Sequence, residues 1–221
     1  MKLFGVLIKQ GSTVIEVGGH IGFISMYFAQ LVGPNGKVYV FEPGSNNQPY
    51  IRENIESGMP PGKGGKITLI PKAVGYENGE ATLYEDSLTG QNNSLVKNFQ
   101  GLRNNIQFSY VESEVKEKTV PVVSIDSFLM NNSVDFIKID VEGFEFSVLR
   151  GATHAIQNNL PVVMVEVQAN EKEIFHYFST KNYVMYNDRC EKLMNYNSLK
   201  GNIFCIHQLK HQSFLEKISA S

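Results

Sequence analysis

A β-branched run, Ser12 to Val17, stops at Gly18-Gly19 and passes straight into residues at helical spacing: Ile21, Ile24, Tyr27, Phe28, Leu31 and Val32. This strand-glycine-helix junction constrains the chain most, because neighbouring parallel strands need a crossover connection, usually a helix. The neighbours follow in order. Gly33-Pro34 ends the first helix, Lys37 to Phe41 reads as a second strand and Gln48 to Ser57 as a second helix. Ile67 to Pro71 is a third strand, after the loop Pro60-Pro61-Gly62-Lys63-Gly64-Gly65. A β-α-β-α-β series joined by right-handed crossovers is half of a doubly wound sheet.

The regularity breaks from Gly75 to about Pro121, where Asn, Ser, Gly and Glu are interrupted only by short alternating runs such as Ala81 to Tyr84 and Ile106 to Tyr110. Such a stretch reads as an antiparallel excursion or lid on the substrate side, or as a solvated insertion with no role. Order resumes with the strand Val134 to Asp140, a helix from about Glu145 to Ile156, the apolar strand Pro161 to Val167 and a helix from Glu171 to Thr180. Two closing strands lie near Tyr183 to Asn187 and Asn202 to His207, antiparallel because only a loop separates them. With 221 residues, 42% of them hydrophobic, the chain suits one α/β domain over 1–221. The predicted architecture is a doubly wound, mostly parallel sheet of seven strands with helices on both faces, Rossmann-like, its last strand antiparallel.

A formal net charge of −2 lacks the footprint of a protein that neutralises phosphates, so nucleic acid is a poor partner. Cys190 and Cys205 sit outside any CxxC pattern and read as ordinary thiols. The apolar patch in Met1 to Gln10 is too short for a membrane span and has no small-residue cleavage site, which makes a cytoplasmic protein the default expectation. The first strand begins almost at once, as it also would in a chain lacking part of its natural N-terminus.

In doubly wound sheets, ligands bind beyond the carboxyl ends of the strands, where the strand order reverses. Gly18, Gly19 and Gly22 let the backbone approach a ligand and aim a helix N-terminus at an anionic group, although glycines after a strand can also solve a packing problem. The spacing is G-G-x-x-G rather than the G-x-G-x-x-G of dinucleotide enzymes, and no Walker lysine follows. Glu16 before the turn suits an ammonium, and free N–H groups suit a carboxylate. The methionine end of S-adenosyl-L-methionine carries both. Glu42, ending Val38-Tyr39-Val40-Phe41-Glu42-Pro43, comes about 20 residues after the turn, where an acid can accept both hydroxyl hydrogens of an adenosyl ribose. Pro43 then stops the strand. These two features specify an adenosine-like ligand before they specify a reaction.

With those residues in view, the chain resembles the FkbM family of S-adenosylmethionine-dependent methyltransferases. The matching segments are Val14 to Gly22, Val38 to Pro43, Pro71-Lys72-Ala73-Val74-Gly75, Val122 to Phe128, Val134 to Glu145 and Val165-Glu166-Val167, and the most specific is Lys138-Ile139-Asp140-Val141-Glu142-Gly143-Phe144-Glu145. The resemblance implies a seven-stranded class I methyltransferase fold and O-methylation of a hydroxyl on a sugar, glycolipid or secondary metabolite. Family members commonly carry Asp and Ala-Asn where this chain has Glu16 and Gly19-His20. His20 either offers its imidazole to the cofactor or substrate or is structural.

Methyl transfer from a sulfonium is an in-line displacement that needs an aligned acceptor oxygen and a group to take its proton. Strand alternation puts Lys138, Asp140 and Glu142 on one side, beside the glycine turn. Asp140 is therefore either the general base or hydroxyl orienter, with Glu142 and Glu166 near the acceptor, or the structural ion-pair partner of Lys138 with Glu142 starting the next helix. The carboxylates lack a recognisable ligand spacing, so a divalent ion is conceivable but no metal site is predicted. Ala73 is expected near the adenine through its backbone. The acceptor is a small molecule or glycan with a free hydroxyl. Competing readings are a nucleotide-dependent oxidoreductase, which would want a third glycine elsewhere, and a binding protein that keeps the fold without activity.

Overall fold

Strand β1 (Thr13–Val17) buries both of its faces, Val14 and Glu16 on one and Ile15 and Val17 on the other, as only an interior strand of a covered sheet can. The computed structural model describes residues 2–58, 64–86, 89–97, 99 and 115–219. Helix α1 (Lys2–Leu7) precedes β1, and α2 (Phe23–Val32), β2 (Lys37–Phe41), α3 (Gln48–Ser57) and β3 (Lys66–Ile70) follow it. Next come β4 (Ala73–Val74), β5 (Gly79–Asp86), β6 (Val115–Val123), α4 (Ile125–Leu129) and β7 (Phe136–Ile139). The remainder comprises α5 (Glu145–Arg150), α6 (Thr153–Asn159), β8 (Val162–Val167), α7 (Glu171–Ser179), β9 (Tyr183–Tyr186), β10 (Lys192–Leu193), β11 (Gly201–His207) and α8 (Gln212–Ser219).

The main sheet has the order β10-β9-β11-β8-β7-β1-β2-β3. Strands β3, β2, β1, β7 and β8 are parallel, and β11 runs antiparallel to both β8 and β9. This is the predicted doubly wound, mostly parallel α/β arrangement, with the two-residue β10 added at one edge. Because β1 sits between β2 and β7, the strand order reverses beside it, and the crevice at its carboxyl end is the ligand position of such sheets. One face of the sheet is covered by a cluster that includes Phe4, Phe28, Val38, Ile51, Phe136 and Phe204, and the other by one that includes Ile15, Phe41, Ile137, Leu149, Val165 and Phe178. Phe4 of α1 meets Phe28 and Phe136 edge-on at 5.1 and 5.7 Å, which ties the first helix to the sheet.

A second sheet, β4-β6-β5, has β5 and β6 antiparallel along their full length from Gly79↔Val122 to Asp86↔Val115. The alternating run Ala81 to Tyr84 lies within β5, whereas Ile106 to Tyr110 and most of the loop from Pro60 fall outside the described residues. Two helices depart from the sequence reading for a visible reason. Helix α2 starts at Phe23 rather than Ile21, because Gly22 at its N-cap is left-handed with φ 83°. The helix expected from Glu145 to Ile156 is broken at Gly151, where the backbone of Gly75 passes so close that a Cβ would collide with its carbonyl. Asp126 then caps α6 by accepting from the N–H groups of His154 and Ala155 at 3.0 and 2.8 Å.

Candidate active site

The strand order lays five residues singled out by the sequence in a row along the carboxyl edge: Ala73 past β3, Glu42 past β2, Gly18 past β1, Asp140 past β7 and Glu166 on β8. All five line one cavity of about 280 Å³. His20, Pro43 and Glu142 also line it, as do Phe41, Val74 and Leu83 on its apolar side. The part of the chain following β5 closes another wall through Gly90 to Asn93 and Leu95. Sequence reasoning named none of these last residues, because nothing in their spacing marks them; hydrogen bonds from distant segments place them. Asn47 Nδ2 donates to the Gly90 carbonyl at 2.9 Å, Asn46 Nδ2 to the Asp86 carbonyl at 3.0 Å and Asn93 Nδ2 to Asn46 Oδ1 at 2.9 Å. Ser94 Oγ donates to the Glu142 carbonyl at 2.7 Å, joining the same wall to the end of β7.

Glu42 is 4% exposed and organises the turn it faces. Its Oε2 accepts from the His20 N–H at 2.8 Å and its Oε1 from the Gly44 N–H at 2.8 Å. Burial pushes its carboxyl up to about 7 despite those two bonds. Oε1 also accepts from Asn47 Nδ2 at 3.4 Å, whereas Oε2 retains a second lone pair with which the group can still receive a hydroxyl from the cavity.

The glycine turn is built differently from the sequence expectation of free donors. The N–H groups of Gly18 and Gly19 both donate to the Phe41 carbonyl, at 3.0 and 3.2 Å, and that of Gly22 donates to the Gly19 carbonyl at 2.8 Å. Glycine is needed at 18 by a φ of 85° and by the Asp140 backbone, and at 19 by the Val40 side chain, which a Cβ would overlap. Gly19 and Gly22 stand behind the cavity rather than in its lining. His20, at φ 47°, points Nε2 to within 3.4 Å of the Thr89 carbonyl and so links the turn to the wall after β5.

Glu16 also lies behind the cavity. Its carboxylate, 1% exposed, accepts from Ser25 Oγ of α2 and is 3.7 Å from Lys138 Nζ. Register explains the meeting, since Glu16 and Lys138 are direct neighbours across β1 and β7. Lys138 then reaches forward, with Nζ 2.9 Å from Asp140 Oδ2 and 3.4 Å from the Gly18 carbonyl. Burial disfavours the ammonium, but Asp140 and Glu16 outweigh it and raise its pKa. Burial would likewise raise Asp140, yet the Lys138 charge and hydrogen bonds from Glu166 and Lys138 hold its carboxyl below the ordinary value. Glu142 adopts φ 53°, accepts from Gln168 Nε2 at 2.8 Å and is pushed up to about 7 by burial and then by Asp140. Among the described residues, no group of three or more His, Cys, Asp or Glu is arranged to hold a metal ion, and no helix is long and apolar enough to cross a membrane.

The arrangement therefore offers an apolar flank, an acid at the end of β2 and a cation-braced acid at the end of β7 around one crevice. Similar proteins carry methyltransferase names. The chain is 26% identical over 172 residues to Methyltransferase 1 of Beauveria bassiana, covering 71% of this chain and 64% of that protein. It is 25% identical over 171 residues to the hexuronic acid methyltransferase AglP of Haloferax volcanii, covering 75% and 61%. The chain thus spans less than two thirds of the length of either relative. The crystal structure of Methyltransferase FkbM from Methylobacillus flagellatus superposes with a TM-score of 0.54 at 17% identity, covering 91% of this chain and 45% of that one. A putative rRNA-methylase from Clostridium thermocellum shares the fold with a TM-score of 0.52 at 11% identity, covering 93% and 91%. The Methyltransferase FkbM domain matches residues 16–196, a span that holds every residue lining the cavity, and the chain accordingly belongs to the FkbM methyltransferase family.

Proposed function

We propose that this chain transfers a methyl group from S-adenosyl-L-methionine to a hydroxyl of a sugar-like acceptor. The observation that carries the reading is the placement of Glu42 and Asp140 on either side of β1 at the switch point, both facing one cavity. When bound, S-adenosylmethionine supplies an electrophilic methyl carbon whose bonding pair stays with sulfur on transfer. Glu42 would receive the ribose hydroxyls, with Phe41, Pro43 and Ala73 against the adenine. Asp140 would orient the acceptor hydroxyl and take its proton, with Lys138 keeping Asp140 ionised and Glu142 holding a further hydroxyl. Gln91, Asn92 and Asn93 add amides to the wall, and an amide can both donate to and accept from a polyol. The name of the Haloferax relative, a hexuronic acid methyltransferase, agrees with a sugar acceptor.

Two measurements test the reading. Calorimetry should show S-adenosylhomocysteine binding where NAD does not, and labelled S-adenosylmethionine should pass its methyl group to a member of a panel of monosaccharides, uronic acids and glycolipid headgroups. Binding without transfer to any acceptor would point instead to a protein that keeps the fold for binding alone.

A further inference from the structure

Strands β7 and β8 pair in parallel register with Ile139 beside Val165, which brings Asp140 and Glu166 to adjacent places on the face that carries Lys138. Both acids line the cavity, and their carboxyl groups are within hydrogen-bonding reach of each other. Two carboxylates this close repel if both are charged, whereas one proton between them makes a short, charge-assisted O–H···O⁻ bond. The surroundings decide which acid keeps the proton. On β7, the Lys138 ammonium bonds Asp140 at 2.9 Å and favours the anion there. Facing Glu166 are Asp140, Glu142 from the loop after β7, the more weakly coupled Lys138 and, across β11, the uncharged Asn202. Burial first, then Asp140 and Glu142, push the Glu166 carboxyl up to about 8.

We propose that Glu166 is a positioning residue for Asp140: as the carboxylic acid it donates to the Asp140 carboxylate and, opposite Lys138, fixes that anion toward the cavity. The proposal rests on the reading of Asp140 as the group that receives the acceptor hydroxyl. Loss of the Glu166 proton breaks the bond and sets a second anion beside Asp140, so the competent site is the singly protonated pair. A glutamine at this place keeps a donor that does not ionise in this range; an alanine keeps none.

The first test uses cofactor-free protein labelled with [5-¹³C]glutamate, assigned with Glu166→Gln. The Glu166 carboxyl resonance is expected to titrate near pH 8 and to fall by at least one pH unit in Asp140→Asn. A midpoint within the ordinary glutamate range, about 4 to 5, overturns the bond. The second test follows methyl transfer against pH with whichever panel acceptor the wild type uses. Glu166→Ala should lose at least tenfold without loss of S-adenosylhomocysteine affinity, and Glu166→Gln should recover most of that and abolish the alkaline fall that wild type shows near pH 8. An inactive Glu166→Gln that binds S-adenosylhomocysteine normally, or one that keeps the alkaline fall, overturns the positioning role. Failure of the wild type to methylate any acceptor would refute the proposed function instead, leaving the hydrogen bond to be judged by the resonance alone.

Discussion

The carbonyl oxygen of Asp140 occupies the place where a side chain on Gly18 would have to begin. Gly18 is therefore fixed by the join between β1 and β7 as well as by its φ of 85°. Gly18→Ala should cost more than the roughly 1–2 kcal/mol of a left-handed non-glycine residue, because the two strand ends must also separate. Urea unfolding checks this. A variant as stable as wild type but unable to bind S-adenosylhomocysteine would instead mean that the glycine serves the ligand alone.

Glu42 joins the turn after β1 to its own loop through the His20 and Gly44 N–H groups. Glu42→Ala should weaken S-adenosylhomocysteine about 10- to 100-fold, as expected for losing one or two hydrogen bonds worth about 1–1.5 kcal/mol each. It should also lower stability by leaving two N–H groups poorly satisfied. Calorimetry of Glu42→Gln, which keeps one carbonyl acceptor, should fall between the two. Equal affinity in all three proteins would remove Glu42 from the cofactor site.

Glu16, Glu42, Glu142 and Glu145 are each pushed up to about 7, primarily by burial, and Glu166 to about 8. Their unfolded forms ionise near 4.5, so between pH 4.5 and 7 the unfolded chain releases protons that the folded one retains, and stability falls as pH rises. For the buried Glu16 and Glu42 each retained proton contributes a slope of up to about 1.4 kcal/mol per pH unit, and for the partly exposed Glu142 and Glu166 solvent screening makes it smaller. Asp140 acts in the opposite sense: its carboxyl is held below the ordinary value, so its contribution is present above about pH 4 and is lost on further acidification. The urea midpoint should thus peak between about pH 4 and 5 and drop toward 7. A midpoint that rises from pH 5 to 7 would show that these acids are charged in the folded protein.

The sheet and the edge residues were legible because each depends on local periodicity: a strand that stops at glycine, an acid that ends β2, an acid that ends β7. What escaped the sequence depends on partners far along the chain. Glu16 was expected to face an ammonium of the ligand, but its neighbour is Lys138, brought beside it only by strand register. The turn donors were expected to be free, but the Phe41 carbonyl of the next strand takes two of them. The cavity wall at Gly90 to Leu95 has no periodic signal, since it is held by Asn46, Asn47 and Glu142 rather than by a strand or helix of its own. Helices α1 and α8 were missed for a similar reason, as short segments at the chain ends whose apolar residues have a core to join only once the sheet exists.

Lys138 and Asp140 make the sharpest contrast between scaffold and chemistry. Lys138→Met removes the cation from two acids at once: Glu16, 1% exposed, stays neutral by keeping its proton, but Asp140 and the Gly18 carbonyl lose their donor, so it should cost about 1–3 kcal/mol. Adding Glu16→Gln should change little further, because Glu16 is by then already a neutral acid. Asp140→Asn leaves Lys138 paired with Glu16 at 3.7 Å, and its own side chain is 27% exposed, so the fold should lose much less. Its methyl transfer should nevertheless fall by about 10²–10⁴, the usual worth of a positioned general base, with S-adenosylhomocysteine affinity retained. Unfolding curves and transfer rates on the same samples separate the roles: an Asp140→Asn variant that stays active, or that loses stability as heavily as Lys138→Met, would show that Asp140 serves the ion pair and not the reaction.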